Sequence, residues 1–225
     1  MSTRAWFSFL GGILLCAVPL FGAAGTLLWP AGWVFLALVF GVGLAITLML
    51  AKHDPALLEE RMKPLVQKDQ PLWDRVLLPA FIVLWLGWLA LMGLDAVRFG
   101  WSAMPVSLQW IGAAGIALSM WIWFRVFREN TFLAPVVKIQ KEREHKVITT
   151  GPYAVVRHPM YAGAVILFLG GALLLGAWYG VLGALVLSAV LVLRTALEDR
   201  ELQHGLAGYT DYAARVRYKL VPHVW

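Results

Sequence analysis

The sequence predicts an all-α integral membrane protein with about six transmembrane helices, the last two of which form a tight helical hairpin. Of its 225 residues, 60% are hydrophobic and only 14% are charged, and the mean hydropathy is +0.73. Soluble domains carry about 25% charged residues. The apolar residues are also grouped in runs long enough to cross a bilayer. These observations exclude a soluble globular domain, and the length leaves little room for a separate one.

Two predicted spans open the chain. The first covers residues 6–28. Arg4 ahead of this run leaves a cleaved signal peptide as the alternative, but the run is long for such a signal and a second span follows almost at once. Residues 30–32, Pro-Ala-Gly, predict a tight turn, and residues 33–51 predict the second span.

A polar connection, residues 52–75, follows the second span. Asp54-Pro55 predicts the start of a short helix that lies on the membrane surface, and Pro64 predicts its end. We therefore separate residues 1–75, an N-terminal two-span region with an interfacial connection, from the remainder of the chain.

The remainder, residues 76–225, is predicted to be a membrane core. Its third span covers residues 76–94, and its fourth covers residues 107–126. The apolar run 161–197 is too long for one span and just long enough for two short ones. A tight hairpin that turns near residues 177–179 is therefore predicted.

Two polar segments belong to this core. In the loop 127–160, apolar and polar residues alternate at 137–140 and 146–149, which predicts a small β-hairpin around a charged turn at 141–144. Residues 198–225 form a polar, aromatic tail.

The distribution of charge orients the predicted spans. With the N-terminus in the cytoplasm, Arg98 is the only one of the 19 Lys and Arg residues on the other side, as the positive-inside rule requires. We predict a multi-pass protein of the inner or cell membrane with both termini in the cytoplasm. The net charge of +6 has this topological cause and does not indicate nucleic acid. The histidines lack the His-Glu-x-x-His spacing and the lone Cys16 lies mid-membrane, so no metal site is predicted.

Residues 149–163 are the most informative stretch, because they join the polar loop to the apolar hairpin. Gly151-Pro152 predicts a turn, and Arg157-His158 lies directly before Pro159, which favours the first turn of a helix. A fixed cation and a titratable ring therefore lie where water meets lipid. Such a place suits a reaction between a charged cofactor and a lipophilic acceptor.

Several separated motifs occur in a fixed order: Gly151-x-Tyr153, Arg157-His158-Pro159-x-Tyr161-x-Gly163, the acids Glu198 and Asp199, and a tyrosine-rich tail. Over about residues 128–222 they resemble bacterial-type members of the isoprenylcysteine carboxyl methyltransferase family and its phospholipid methyltransferase relatives. The resemblance implies a membrane helix bundle in which S-adenosylmethionine occupies a cytosol-facing pocket that is open to lipid. It also implies methyl transfer to a lipophilic acceptor, either a small molecule or a lipid-modified one.

The same resemblance implies roles for individual residues. The implied cofactor contacts are Lys138, His145, Lys146, Val147, Ile148, Tyr153, His158, Pro159, Met160, Tyr161, Glu198 and Asp199. Arg194 matches an arginine that faces the acceptor, and it is predicted to be catalytic together with Arg157 and His158. Asp199 stands where the family usually has a second glutamate.

The chemistry of these side chains fits such a donor. Arg157, or a backbone N–H at the following helix start, can bind a carboxylate. Tyr153 and Tyr161 can offer ring faces to adenine or to a sulfonium. If the acceptor is a carboxylate, it needs no base and Arg194 orients it. If the acceptor is a neutral amine or thiol, a proton acceptor such as His158 becomes relevant.

Simpler interpretations of these residues stay open. His158 can cap the helix locally, and Arg157 can anchor lipid headgroups. Arg194 and Glu198, four residues apart, can form only an ion pair.

Two other functional classes also stay open. Sterol reductases share a similar Arg-His-Pro-x-Tyr segment, which would make this an NADPH-dependent oxidoreductase. A non-enzymatic scaffold or small transporter is disfavoured, because the spans hold almost no charge that could line a path. Nothing in the sequence distinguishes O-, N- and S-methylation.

Overall fold

The computed structural model describes residues 3–225 and has eight α-helices there, with no β-strand. They are α1 (Thr3–Ala24), α2 (Pro30–His53), α3 (Pro55–Arg61), α4 (Leu72–Gly93), α5 (Val106–Glu129), α6 (Pro159–Leu175), α7 (Trp178–Gly205) and α8 (Tyr209–Arg215). A wider helical turn, Leu94–Arg98, extends α4. The all-α prediction is confirmed.

Five helices, α1, α2, α4, α5 and α7, are long and apolar enough to cross a membrane. Helix α6 is apolar but has only 17 residues. At 1.5 Å per residue it is about 26 Å long, slightly less than the ~30 Å hydrocarbon core. The multi-pass membrane protein is therefore confirmed, while the sixth span stays a prediction.

The predicted helical hairpin is formed by α6 and α7. Gly176, with φ +79°, ends α6 in the left-handed conformation that glycine adopts without strain. The N–H of Ala177 then bonds to the carbonyl of Ala172 at 3.0 Å, which closes the helix end. Helix α7 begins one residue later, so the turn lies where the sequence predicts it.

Helices α5 and α6 touch through their backbones. A Cβ at Gly112 would lie 2.5 Å from the carbonyl oxygen of Gly170, so only glycine permits this crossing. Closer to the start of α6, the Ser119 hydroxyl donates to the Gly163 carbonyl at 2.7 Å, and the Trp123 ring N–H donates to the Met160 carbonyl at 3.0 Å. These contacts fix the position of the α6 N-terminus.

One hydrophobic core unites the membrane helices. Its buried members come from α1, α2, α4, α5, α6 and α7 and include Leu20, Phe35, Met92, Ile116, Phe168 and Leu187. The two N-terminal helices thus pack on the same core as the others. The division at residue 75 stays a prediction about the sequence.

The polar loops gather at one end of the bundle. The Arg4 guanidinium donates to the carbonyl of Met62 at 3.0 Å, which brings the start of α1 to the loop after α3. The backbone N–H of Arg157 bonds to the carbonyl of Tyr218 at 3.0 Å, which brings the tail to the start of α6. At the opposite end, the buried Asp95 carboxylate accepts hydrogen bonds from the Ser102 hydroxyl and the Tyr179 N–H.

The predicted β-hairpin in the loop before α6 is wrong. Lys141–Arg143 form a single 3₁₀ turn, and Glu144 follows in the left-handed conformation, with φ +51°. The reason lies in the buried Gln140 side chain, which donates to the carbonyl of Phe132 at 2.7 Å and accepts from Arg143 at 2.7 Å. Side-chain hydrogen bonds thus hold this loop in place of a strand ladder.

Candidate active site

All of the predicted site residues except Asp199 line one cavity at the polar end of the bundle. The lining predicted residues are Lys138, His145, Lys146, Val147, Ile148, Tyr153, Arg157, His158, Pro159, Met160, Tyr161, Arg194 and Glu198. The cavity encloses about 860 Å³ of empty space, including its open mouth. The roles of these residues stay predictions.

Four parts of the chain converge on this cavity. The loop between α5 and α6 supplies one wall, the first turn of α6 supplies the floor, and the last turns of α7 supply the opposite wall. The tail closes the back, where Tyr209 and Tyr212 of α8 line the cavity. The Tyr212 hydroxyl donates to the carbonyl of Tyr153 at 2.7 Å, and this joins the tail to the loop.

Asp199 is the one predicted site residue that does not line the cavity. Its carboxylate is 2% exposed, and both of its oxygens are occupied. Arg157 donates to them through Nε at 2.7 Å and Nη2 at 2.9 Å, and the Tyr209 hydroxyl donates at 2.9 Å. Gln203 adds a further bond at 2.8 Å. Asp199 has no lone pair left for a ligand in the cavity.

Arg157 holds the tail in place. Besides Asp199, its guanidinium donates to the carbonyls of Val216 at 2.7 Å and Arg217 at 2.9 Å. Burial alone would lower the pKa of Arg157, but the hydrogen bonds and the charge of Asp199 outweigh that effect and raise it. Burial and the same carboxylate raise the pKa of Tyr209 well above its ordinary value. With four of its five N–H groups engaged, Arg157 has little left for a ligand.

His158 lies between this cluster and the cavity. Its Nε2 faces the Asp199 carboxylate at 3.1 Å, so we assign the ring proton to Nε2. The other ring nitrogen, Nδ1, has no hydrogen-bond partner within residues 3–225, so a proton-accepting nitrogen is left on a cavity-lining ring. The His158 side chain makes no cap for α6, so the simpler interpretation as a helix cap is wrong.

Arg194 is held by three partners. Its Nε donates to Asp74 at 2.9 Å, its Nη1 to the Tyr161 hydroxyl at 2.8 Å, and its Nη2 to the carbonyl of Pro135 at 2.9 Å. One N–H on each terminal nitrogen remains for a ligand. The Tyr161 hydroxyl in turn donates to Glu198 at 2.5 Å. The tyrosine thus lies between Arg194 and Glu198, and the simple ion pair considered from the sequence does not form.

Sequence reasoning missed Asp74. This residue of α4 is fully buried, and its second oxygen accepts from Gln70 at 2.7 Å and from the backbone N–H of Val137 at 2.9 Å. A lone acid at the start of an apolar span is a weak signal, since acids are common in the first turn of helices. The contact with Arg194 joins residues 120 positions apart, which no local pattern reports.

Lys138 lines the cavity, but its ammonium group is engaged elsewhere. It lies 2.6 Å from a carboxylate oxygen of Glu60 in α3, and Lys63 lies 2.6 Å from the other oxygen. Burial by itself would raise the pKa of Glu60, but the hydrogen bonds from the two lysines outweigh it and lower that pKa. Sequence reasoning missed Glu60 as well.

The cavity therefore has a simple charge pattern. Each of its buried cations has an acid of its own: Arg157 has Asp199, Arg194 has Asp74, and Lys138 has Glu60. Glu198 is the only acid that lines the cavity, and within the described chain it forms no ion pair at 4.0 Å or less. Lys146 also lines the cavity and is exposed at its edge.

Rings form much of the remaining wall. His145 stacks on Phe132 with ring centroids 4.4 Å apart, and His158 stacks on Tyr161 at 5.9 Å. Burial, with a smaller effect of the Arg143 charge, lowers the pKa of His145 to about 4, so this ring is neutral at pH 7. The Tyr153 hydroxyl accepts from Asn130 at 2.7 Å, and burial raises its pKa. The walls thus offer flat ring faces around the Glu198 carboxylate.

Residues 107–207 match a family model described as phospholipid methyltransferase. The match confirms the resemblance predicted from the sequence. It spans α5, the loop after it, α6 and α7, and so includes most of the cavity lining. Asp74, Glu60 and residues 208–225 lie outside it.

Proposed function

The family match indicates a membrane methyltransferase, and from that premise we propose that S-adenosylmethionine is its methyl donor and that a lipophilic molecule is its acceptor. The observation that carries the proposal is Glu198, the one acid of the cavity wall, which forms no ion pair with any of the three buried cations. An unpaired carboxylate of this kind favours a cationic ligand.

S-adenosylmethionine has the groups that this cavity can hold. Glu198 would bind its cationic part, since the carboxylate keeps lone pairs beyond the one that accepts from Tyr161. Lys146, exposed at the edge, would bind its carboxylate. The stacked rings of the loop wall would hold the adenine, because flat aromatic faces bind flat heterocycles.

When bound, the donor supplies a methyl group on a positively charged sulfur, which passes to the nucleophile and leaves a neutral thioether. The residues of this chain then have two tasks. They must align the acceptor with the methyl group, which supplies most of the catalysis in such displacements. They must also remove a proton where the acceptor carries one.

Arg194 and His158 are the residues proposed for these tasks. The two free N–H groups of Arg194 would orient the polar head of an acceptor that enters from the bilayer. Nδ1 of His158 would take a proton from an amine or thiol, with Asp199 stabilising the charged ring. An acceptor that is a carboxylate, as in isoprenylcysteine carboxyl methylation, would need Arg194 alone.

We further propose that the cavity and both termini face the cytoplasm. The support is that the termini and the basic loops share one end of the bundle, whereas Arg98 lies at the other end. A donor made in the cytoplasm would then reach the cavity directly, and the acceptor would arrive from the adjoining leaflet.

The sterol-reductase-like alternative fits the charge pattern less well. NADPH carries several anionic phosphate oxygens, which proteins bind with unpaired Arg and Lys side chains or free backbone N–H groups. The three buried cations here are already paired with acids, and Glu198 would repel a phosphate. The family match points away from it as well.

The test is ligand titration of the detergent-solubilised protein. We expect wild-type protein to bind S-adenosylmethionine and S-adenosylhomocysteine and not NADPH. Glu198→Gln removes one charged hydrogen-bond partner, which is worth ~1.5–3 kcal/mol, so affinity for S-adenosylmethionine should fall about 10- to 100-fold. Glu201→Gln is the matched control, because Glu201 is an exposed acid on the same helix outside the cavity lining.

Two results would contradict the proposal. One is that the protein binds NADPH but neither S-adenosylmethionine nor S-adenosylhomocysteine. The other is an unchanged affinity for S-adenosylmethionine in Glu198→Gln. That result would show that Glu198 does not bind the donor, even if the protein does transfer methyl groups. The acceptor class is then found by incubating the protein with methyl-labelled donor and vesicles of phosphatidylethanolamine, a primary amine, or with a farnesylated cysteine, a carboxylate.

A further inference from the structure

We propose that Asp74 is a positioning residue of the cavity: it neutralises Arg194 and so keeps Glu198 available as the anion that binds a cationic ligand. This inference rests on the proposed function, because it explains how the proposed donor site keeps its charge. Asp74 lies on α4, outside the part of the chain that matches the family model.

Arg194 and Glu198 are four residues apart on α7. Residues four apart on a helix lie on the same face, so an arginine and a glutamate at this spacing readily pair. Burial strengthens the attraction, since the surroundings screen charge poorly. Arg194 is only 6% exposed, so it requires a counter-charge from some acid.

Asp74 supplies that counter-charge from the other side. It contacts Nε of Arg194 at 2.9 Å, and its second oxygen is fixed by Gln70 and by the N–H of Val137. The acid is therefore held in place independently of Arg194. Because a fixed carboxylate already pairs with Nε, part of the guanidinium charge is balanced there, and the attraction toward Glu198 is weaker than it would be without Asp74.

Tyr161 completes the separation. Its hydroxyl accepts from Arg194 at 2.8 Å and donates to Glu198 at 2.5 Å. The phenol thus occupies the space in which a direct ion pair would form. If Asp74 lost its charge, Arg194 would be a buried cation without a paired acid. Its guanidinium and the Glu198 carboxylate would then form an ion pair beside the Tyr161 ring.

The consequence is a change in selectivity between two related ligands. S-adenosylmethionine carries a positive sulfur, whereas S-adenosylhomocysteine lacks that charge and one methyl group. A Glu198 carboxylate that Arg194 has neutralised would no longer favour the charged compound. The ratio of the two affinities therefore reports on the free anion, and a general loss of structure would weaken both ligands alike.

The experiment measures this ratio by titration in a set of variants. In Asp74→Asn we expect the preference for S-adenosylmethionine over S-adenosylhomocysteine to fall at least fivefold relative to wild type. In the double variant Asp74→Asn/Arg194→Gln both charges are absent, Glu198 is free again, and the wild-type ratio should return. Arg194→Gln alone leaves Asp74 anionic near Glu198, so the ratio should rise.

The control is Asp95→Asn, which should leave the ratio unchanged. Asp95 is a second fully buried acid. It lies in the turn that extends α4, at the opposite end of the bundle from Asp74. Should Asp74→Asn fail to fold, the double variant and Arg194→Gln still test the inference through their own expected ratios.

Two findings would overturn the inference. If Asp74→Asn weakens both ligands by the same factor, Asp74 acts only through the wall that it supports at Val137. If the double variant folds but keeps a low ratio, Arg194 is not the source of the effect. Wild-type protein that binds neither compound would contradict the proposed function itself, which separates that failure from this one.

Discussion

Replacing Arg157 by lysine tests whether this residue holds the tail or contacts the ligand. The guanidinium donates two bonds to Asp199 and one each to the carbonyls of Val216 and Arg217. A lysine ammonium has all its donors on one atom and cannot span these partners. We expect Arg157→Lys to keep one contact with Asp199 and to lose both bonds to the tail.

The size of the effect follows from those two bonds. Hydrogen bonds to charged groups contribute ~1.5–3 kcal/mol each, which sets an upper range of ~3–6 kcal/mol. Water can reach the released carbonyls, because the tail lies at the surface, so we expect the lower end, about 3 kcal/mol. The loss should be largely confined to the tail, since Leu220 and Trp225 are its only residues that belong to or pack against the core shared by the membrane helices.

Hydrogen exchange of residues 206–225 is the appropriate assay. Arg157→Lys should speed exchange in the tail, by about 100-fold for 3 kcal/mol, while α5 and α6 exchange as in wild type. Arg215→Lys is the control, because Arg215 is exposed on α8. A variant whose tail stays protected but whose affinity for S-adenosylhomocysteine collapses would refute the reasoning and restore the ligand-binding role predicted from the sequence.

Two further predictions concern catalysis and orientation. Arg194→Lys should leave the affinity for S-adenosylhomocysteine within a few-fold of wild type. It should slow methyl transfer at least tenfold, which is ~1.4 kcal/mol of barrier, in single-turnover measurements with an identified acceptor. If affinity and rate fall equally, Arg194 instead positions Glu198 for the cofactor. A reporter active only in the cytoplasm should be active when fused at Trp225 and inactive when inserted near Ala103, and the reverse pattern would invert the proposed topology.

Local sequence signals predicted the helices well, because their causes are local. Pro55 and Pro159 each begin a helix, as predicted, because proline needs no N–H partner at that position. The tight turn predicted at residues 30–32 is wrong, since Pro30 begins α2 in the same way. Gly176 ends α6 through its own backbone conformation. Most of the predicted site residues line one cavity, because the motif that carries the resemblance is itself continuous through the first turn of α6, and their roles stay predictions.

The position of Asp199 outside the cavity lining has a geometric cause. Neighbouring residues on a helix project about 100° apart, so two adjacent acids cannot both face one cavity. Glu198 faces the cavity, and Asp199 therefore points to Arg157 and the tail. The pair looks like one motif in the sequence but serves two different surfaces of α7.

The missed acids show what a chain pattern cannot report. Glu60 pairs with Lys138 across 78 positions, and Asp74 with Arg194 across 120. Their partners are recognisable as site residues in the sequence, but no local pattern shows which distant acid pairs with each buried cation. That need is a physical one, since a buried charge without a partner costs several kcal/mol, on the order of 3–5.

Because of this requirement, the N-terminal half of the chain contributes to the candidate site through its acids, Glu60 and Asp74. The segment that matches the family model brings Lys138 and Arg194 to the cavity, yet it contains neither of the acids that neutralise them. Those acids come from α3 and α4, which pack against the loop and α7 from outside the match. The charge left on Glu198 is therefore a property of both halves together. A chimaera that kept residues 107–207 but lost both acids would leave two buried cations beside one carboxylate, and that carboxylate would be neutralised before any ligand arrived.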